Sequence, residues 1–295
     1  MSAPIQLFDA PGPRGRAQQR LLAAAFAVIA VGALALVLVR LGERGNLTAA
    51  KWQPLVSPQV WQFWIIPGLI NTLYAAAISI VLACVLGLLL GLGRLSTVAP
   101  LRWVCAVFVE FFRAVPVLVM MIFSFWIYAY SGAVPSAYLA LAGTITGLTF
   151  YNSSVLAELI RSGVHNLPKG QAEAGLSIGL TRGQTLMNIQ LPQALTAMLP
   201  ALVGQLVVIL KDTALGYQIT YAELLRQGER IGSNFGNIVP ALIVIAAIFI
   251  VINYALTSFA QWLEHRLSRR GRVAGGAAHA DPLQTDVEAA DSARV

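Results

Sequence analysis

The sequence predicts an all-α polytopic membrane protein with six transmembrane helices, and three observations predict it. Of 295 residues, 57% are hydrophobic and only 11% are charged, where soluble domains carry roughly a quarter charged residues. Six apolar stretches are long enough for a helix to cross a bilayer, which takes about 20 residues. The positive charges sit at the ends of these stretches. They form no patch interleaved with aromatics, so the net charge of +7 reads as membrane topology and not as nucleic-acid binding. Lipid offers no partner to backbone amides, so each crossing is read as a helix.

The elements follow in order. Residues 1–20 are a basic leading segment, and 21–39 contain no charge at all. That first run exceeds the roughly 7–15-residue core of a secretory signal and lacks a small-residue cleavage pattern after it, so it reads as a retained anchor. A loop, 40–64, leads to the second crossing within 65–93. The third lies within 103–130 and is free of charge from Ala114 onward. Pro116 is expected to bend it, because proline removes a donor and clashes with the preceding turn. The fourth crossing is 137–157, the fifth 194–210 and the sixth 238–263. Small residues such as Gly87, Gly91, Gly143 and Gly204 permit close helix packing. The segment 266–295 is basic at first. From Gly271 it becomes an Ala-, Gly- and Asp-rich tail with too few large apolar residues to fold.

Orientation follows from the positive charges. With the N-terminus inside, the inner side holds thirteen: Arg14, Arg16, Arg20, Arg94, Arg102, Arg161, Lys169, Arg182, Arg266, Arg269, Arg270, Arg272 and Arg294. The outer side holds six: Arg40, Arg44, Lys51, Lys211, Arg226 and Arg230. Both termini and the polar segment 171–192 are then cytoplasmic. Cys84 and Cys105 lie in apolar runs and read as small core residues, and His165, His265 and His279 have no metal-ligand spacing. No GxxxxGK[ST] phosphate loop is present, so any ATP is bound by another chain.

The most informative stretch is 171–192, QAEAGLSIGLTRGQTLMNIQLP. Pro168 can start a helix whose end is marked by Gly179, a residue suited to a left-handed cap. Thr181 and Gln184 then have the spacing of a capping box for a second helix. Two short helices joined by a sharp corner make a protruding knob that can transmit rigid-body motion. Spacing alone leaves an ordinary polar loop as an equal alternative.

Charged residues near the membrane form three groups. Glu110 and Arg113 share a helix face at i, i+3 and lie in the inner third of their crossing. A paired structural charge is the preferred reading there, with a gate or substrate contact as the alternative. Glu158 and Arg161 repeat the spacing and are read as orienting the 171–192 loop. Lys211, Asp212 and Thr213 end the fifth crossing; they offer a donor and an acceptor to a zwitterion, as would any self-compensating helix end. The outer segment 221–230, YAELLRQGER, is amphipathic and could receive a partner or cover the bundle.

These motifs carry a family resemblance. Glu173-Ala174-Gly175, Gly179 and the Ile189, Leu191, Pro192 ending match the anchors of the EAA loop of ABC-importer permeases, with Gly175 where alanine is usual. Asn71-Thr72-Leu73 resembles the N-T-L of polar amino-acid permeases. Glu110-Phe111-Phe112-Arg113-Ala114-Val115-Pro116 is similar to their (E/Y)-x-F-R-G-T-P, with Ala114 and Val115 departing. SVLAELIRSG at 154–163 is similar to A-E-I-x-R-G-G, and Lys211-Asp212-Thr213-Ala214-Leu215 resembles K-(D/N)-T-S-L.

The resemblance covers 65–265. It implies a five-helix type I importer core, preceded here by one extra helix and a loop over 21–64. It implies that Gly170, Gln171, Glu173, Ala174, Gly175, Gly179, Leu180 and Thr181 contact an ATPase subunit. It places Glu110, Arg113, Lys211, Asp212 and Thr213 as candidates for the substrate path. The implied function is a permease of a bacterial plasma membrane, without its own ATPase site, for a polar amino acid such as glutamate or aspartate. The implied partners are an ATPase dimer binding ATP and Mg, an extracytoplasmic binding protein, and a second permease, a paralogue or an identical copy. No cofactor or metal is expected on this chain. The rival readings are an ion-coupled secondary transporter or channel, which would need paired inverted repeats and broken midplane helices, and a membrane scaffold.

Overall fold

The computed structural model describes residues 12–275, and every regular element in them is helical. Helix α1 spans Pro13–Glu43. Its apolar stretch buries nothing against the rest of the chain, and Leu22, Phe26 and Ile29 are largely exposed. A helix apolar around its whole circumference and unpacked within its own chain is one that lipid or another subunit surrounds.

The loop after α1 is not a free connection. It contains α2 (Ala49–Trp52) and α3 (Pro58–Val60), which runs through a π-helical turn into α4 (Ile66–Leu95). Leu55, Val60 and Ile65 are buried with Leu224, Ile231 and Ile245 in one cluster. Asn237 Nδ2 donates to the Lys51 carbonyl at 2.8 Å, and Lys51 Nζ donates to the Gly236 carbonyl. Residue 65 therefore divides the sequence motifs but not the packing.

Helix α5 (Ala99–Ala114) and helix α6 (Val117–Ser131) meet at an angle of 103°. Val115, preceding Pro116, has φ −83° and ψ 127°, the extended conformation that a following proline imposes. The expected bend is thus a full break between two helices.

Helix α7 (Leu139–His165) is the central element, packed against α4, α5, α6 and α10 (Leu191–Asp212). Ala75, Ser79, Ala83, Gly87 and Gly91 of α4 are all buried and recur every four residues. A Cβ placed on Gly87 would lie 2.8 Å from Leu156 Cβ and 3.0 Å from the Ser153 carbonyl oxygen. The two backbones are therefore as close as small residues allow.

Because its neighbours enclose it, α7 can be polar. Thr144, Asn152, Ser153 and Ser154 are buried. Three return a hydrogen bond to a carbonyl four residues back: Thr144 to Ala140 at 2.8 Å, Asn152 to Leu148 at 2.7 Å, and Ser154 to Phe150 at 2.9 Å. Ser153 donates to the Phe150 carbonyl at 3.1 Å. This polarity sets α7 apart from the other expected crossings. Four helical spans are long and apolar enough to cross a bilayer, and the bent α5–α6 pair makes a fifth if taken as one span. Helix α7 is not among them by composition.

The remaining elements are α8 (Lys169–Ser177), α9 (Arg182–Thr185), α11 (Leu224–Phe235) and α12 (Ile238–Gly275). Glu223 caps α11, accepting from the Leu225 amide at 2.7 Å and the Arg226 amide at 2.6 Å. Burial pushes its carboxyl up to about 7, against the two amide donors. Helix α12 continues past residue 263, through the first part of the stretch expected to be unfolded. The reading of 276–295 as a tail, and that of residues 1–11, lie outside the described residues.

The α4–α7 contact generates a prediction. Gly87→Val forces the two helices apart and is expected to cost about 1–3 kcal/mol or more. Gly32→Val, in α1, meets open space and should leave stability unchanged. Thermal unfolding of the purified protein in detergent checks this; equal losses in both variants would contradict the packing described.

Candidate functional site

The loop between α7 and α10 folds as a compact knob. Helix α8 ends in a Schellman turn: the Gly179 amide donates to the Leu176 carbonyl at 3.0 Å, and the Leu180 amide to the Gly175 carbonyl at 3.1 Å. Gly179 has φ +83°, the left-handed conformation that the sequence assigns to it. Thr181 caps α9 with the expected reciprocal box, its side chain receiving the Gln184 amide while the Gln184 side chain receives the Thr181 amide. Gly175 is buried, and a Cβ there would meet Thr185 Oγ1 at 2.8 Å; glycine in place of the usual alanine lets α8 press onto α9. Gln193 Nε2 donates to Gln171 Oε1 at 3.0 Å, fastening the knob to α10. Gly170, Glu173, Ala174 and Thr181 are exposed on it. Ile178, at the tip, is 75% exposed.

At the same end lies a knot of five charges. Arg94 Nη1 reaches Glu158 Oε2 at 2.7 Å, and its Nη2 reaches Glu110 Oε1 at 3.1 Å. Arg161 Nη2 contacts Glu158 Oε1 at 2.6 Å. Arg113 Nη1 is farther out, 3.6 Å from Glu158 and 3.9 Å from Glu110. The expected Glu110–Arg113 pair is present, but its contact is the longest in the group, and Arg94 of α4 lies closer to Glu110. Arg94 is the least exposed member, its side chain 11% accessible. It joins α4 to α5 and α7, and it was legible in the sequence only as one inner-side positive charge. Glu110 lies near the far end of α5, so the pairing depends on how α4 and α5 pack and has no local sequence signal.

The break between α5 and α6 opens a cavity of about 440 Å³. Arg113 and Asp212 both line it, together with Ala114, Val115, Pro116, Tyr151 and Gln205. Gln205 Nε2 donates to Asn152 Oδ1 at 2.6 Å, which fixes the amide across α10 and α7. Among the described residues Asp212 forms no side-chain ion pair or hydrogen bond, so its carboxylate stays available to the cavity. Of the other candidates, Glu110 belongs to the charge knot. Lys211 is exposed and does not line the cavity. Thr213 is buried and gives its hydroxyl to the Leu210 carbonyl at 2.6 Å. Gln205 and Tyr151 are the additions, and no sequence pattern singles them out because they come from different helices.

The charge knot generates a prediction. Arg94→Gln removes the short bonds to both carboxylates and is expected to cost about 1.5–3 kcal/mol, a charged hydrogen bond's worth reduced by the exposure of Glu110. Arg113→Gln should cost less. Exchanging Glu110 and Arg113 should fail to rescue either single reversal, because the new arginine at 110 faces Arg94. Expression and thermal stability of the single and double variants check this, and recovery by the exchange would show that Arg94 does not govern Glu110.

Comparisons with known proteins agree with this geometry. The sequence profile of the binding-protein-dependent transport system inner membrane component matches residues 83–269. The glutamate transport system permease protein GluD of Corynebacterium glutamicum is 48% identical over 246 residues, 83% of this chain and 90% of that protein. The probable glutamine ABC transporter permease protein GlnP of Bacillus subtilis is 38% identical, covering 68% of this chain and 91% of that one. Among solved structures, an amino acid ABC transporter crystallised with histidines superposes with a TM-score of 0.63 at 30% identity, over 68% of this chain and 93% of the other. An inward-facing MetNI methionine ABC transporter, 20% identical with a TM-score of 0.59, shares the fold. Nothing in these relatives favours an ion-coupled carrier. The chain belongs to the binding-protein-dependent transport system inner membrane components, and is a multi-pass permease subunit of a polar amino-acid ABC importer.

Proposed function

We propose that this subunit forms the membrane path for an acidic amino acid, glutamate or aspartate, and that the cavity at the α5–α6 break is where the amino acid passes. The observation that carries the reading is the convergence of Arg113 and Asp212 on that cavity. An α-amino acid needs a cation for its carboxylate and an acceptor for its ammonium, and these two supply both in a site with a protein-lined, non-helical wall. The relative named as a glutamate permease supports the choice of substrate, while others are named for glutamine and cystine.

The α8–α9 knob is the contact for a separate ATPase dimer, which binds ATP and Mg. Gly170, Gln171, Glu173, Ala174, Gly175, Gly179, Leu180 and Thr181 form or support that contact. The exposed Ile178 tip and the rigid capped corner support this role. A binding protein delivers substrate to the opposite end, where α11 lies. The second permease is a paralogue, a choice supported by the extra helix α1. Both termini face the cytoplasm, a reading supported by the thirteen-to-six distribution of positive charges.

The functional test is ATP-driven uptake of labelled glutamate by vesicles holding the reconstituted transporter. Excess aspartate should compete better than glutamine or cystine. Arg113→Gln and Asp212→Asn should each lower uptake about tenfold or more, the loss of one charged hydrogen bond. Gly179→Val should insert normally and lose uptake, because a β-branched residue strongly disfavours positive φ. Unaltered uptake by Gly179→Val at normal expression would sink the coupling role.

Orientation has its own check. In a variant lacking Cys84 and Cys105, single cysteines at Ser2 and Ser292 should resist an impermeant thiol reagent applied to intact cells, whereas one at Ser136 should react. Labelling of either terminal position would refute the assignment.

A further inference from the structure

A second cavity, of about 710 Å³, lies beside the charge knot and is lined by Arg94, Arg102, Arg161, His165, Trp103 and Pro100 among others. No acidic side chain lines it. The knot itself has three guanidinium groups, Arg94, Arg113 and Arg161, for two carboxylates, Glu110 and Glu158. Arg102 adds a fourth, whose guanidinium donates to the Ser96 carbonyl at 3.1 Å. The cavity is thus a positively charged recess with planar, multi-donor groups suited to a phosphate.

Apolar surface leads away from it. Leu101, Val104, Val107 and Phe111 of α5 are each about half exposed and stand at helical spacing, so they form one stripe starting at the recess. From Leu101 to Phe111 the stripe runs about 15 Å along α5. Trp103 is 69% exposed at the mouth, the setting in which indoles occupy the membrane–water boundary. A soluble anion would use the recess and leave the stripe without a role. A phospholipid uses both.

We propose that this recess binds the phosphate of an anionic phospholipid, with one acyl chain lying along the Leu101–Phe111 face of α5. The lipid supplies the negative charge that the knot lacks. Arg161 and His165 belong to the last turns of α7, three residues before α8 begins. The bound lipid therefore also steadies the helix end from which the knob departs. This assignment does not depend on the transported substrate.

The test is native mass spectrometry of the complete transporter, equilibrated with phosphatidylglycerol or with phosphatidylcholine of the same chain lengths. The expected result is preferential retention of phosphatidylglycerol. Arg102→Gln should weaken that retention about fivefold, the effect of one basic residue at a membrane surface. Arg102→Lys should restore most of it, and Val104→Gln with Val107→Gln should weaken it without touching a charge. Arg102 lies outside the ion-pair knot, so these variants should keep the fold. Equal retention of both lipids, or unchanged retention by Arg102→Gln, would overturn the proposal. Displacement of the lipid by millimolar inorganic phosphate would overturn it too, by showing a site for a soluble anion. Uptake is not the readout, so the result stands or falls separately from the transport reading.

Discussion

Glu158 is the residue around which the inner end of this molecule is organised. It sits partly buried on α7 and holds Arg94 and Arg161 at hydrogen-bonding distance, with Arg113 within ion-pair reach. A carboxylate in that position is tolerable only if paired, and the pairing draws together α4, α5 and α7. Two consequences follow. The end of α7 is fixed, so the knob formed by α8 and α9 departs from a defined base. The last turn of α5 is fixed as well, and Arg113 is thereby presented to the cavity at the helix break. One electrostatic requirement thus positions both the base of the knob and the wall of the cavity.

Backbone proximity makes the arrangement possible. The small residues of α4, at four-residue intervals, let α7 approach closely. Helix α7 can then carry serine, threonine and asparagine where lipid would not tolerate them, because α4, α6 and α10 exclude lipid from it. The Asn152–Gln205 bond extends this polar interior toward the cavity. Thr72 and Ser79 of α4 are buried as well, so the polar interior is shared by the two helices that pack most closely. The outer end is closed by different means: a dry cluster in which Leu55 and Val60 meet Leu224 and Ile245, so the segment after α1 completes the bundle's outer face.

The break at Pro116 links these parts. A straight helix through 103–130 would have left no recess between α5, α7 and α10. With α6 turned by 103°, the same stretch provides an inner amphipathic helix bearing the charge knot and a second, apolar helix packed on α7. The apolar outer face of α5 and the empty surroundings of α1 show that this chain does not satisfy all of its own surfaces.

What the sequence determined by itself was local. Gly179 and the Thr181–Gln184 pair specify a turn and a cap through φ preference and a three-residue spacing, so the knob was legible before any packing was known. The same holds for the apolar runs of α1, α4, α10 and α12, since hydropathy over about 20 residues is a local quantity, and for the bend at Pro116. Tertiary structure decided whatever depends on which helices become neighbours. It added Arg94 to the Glu110–Arg113 pair, because the packing of α4 against α5 brings Arg94 to 3.1 Å from Glu110, closer than the i, i+3 neighbour at 3.9 Å. It placed Asp212 and Arg113 on the lining of one cavity, which Lys211 and Thr213 do not line. It also made α7 a buried helix despite its modest hydropathy. An ion pair or a cavity is a relation between side chains remote in sequence, and its energy depends on distance and burial that only the packed helices fix.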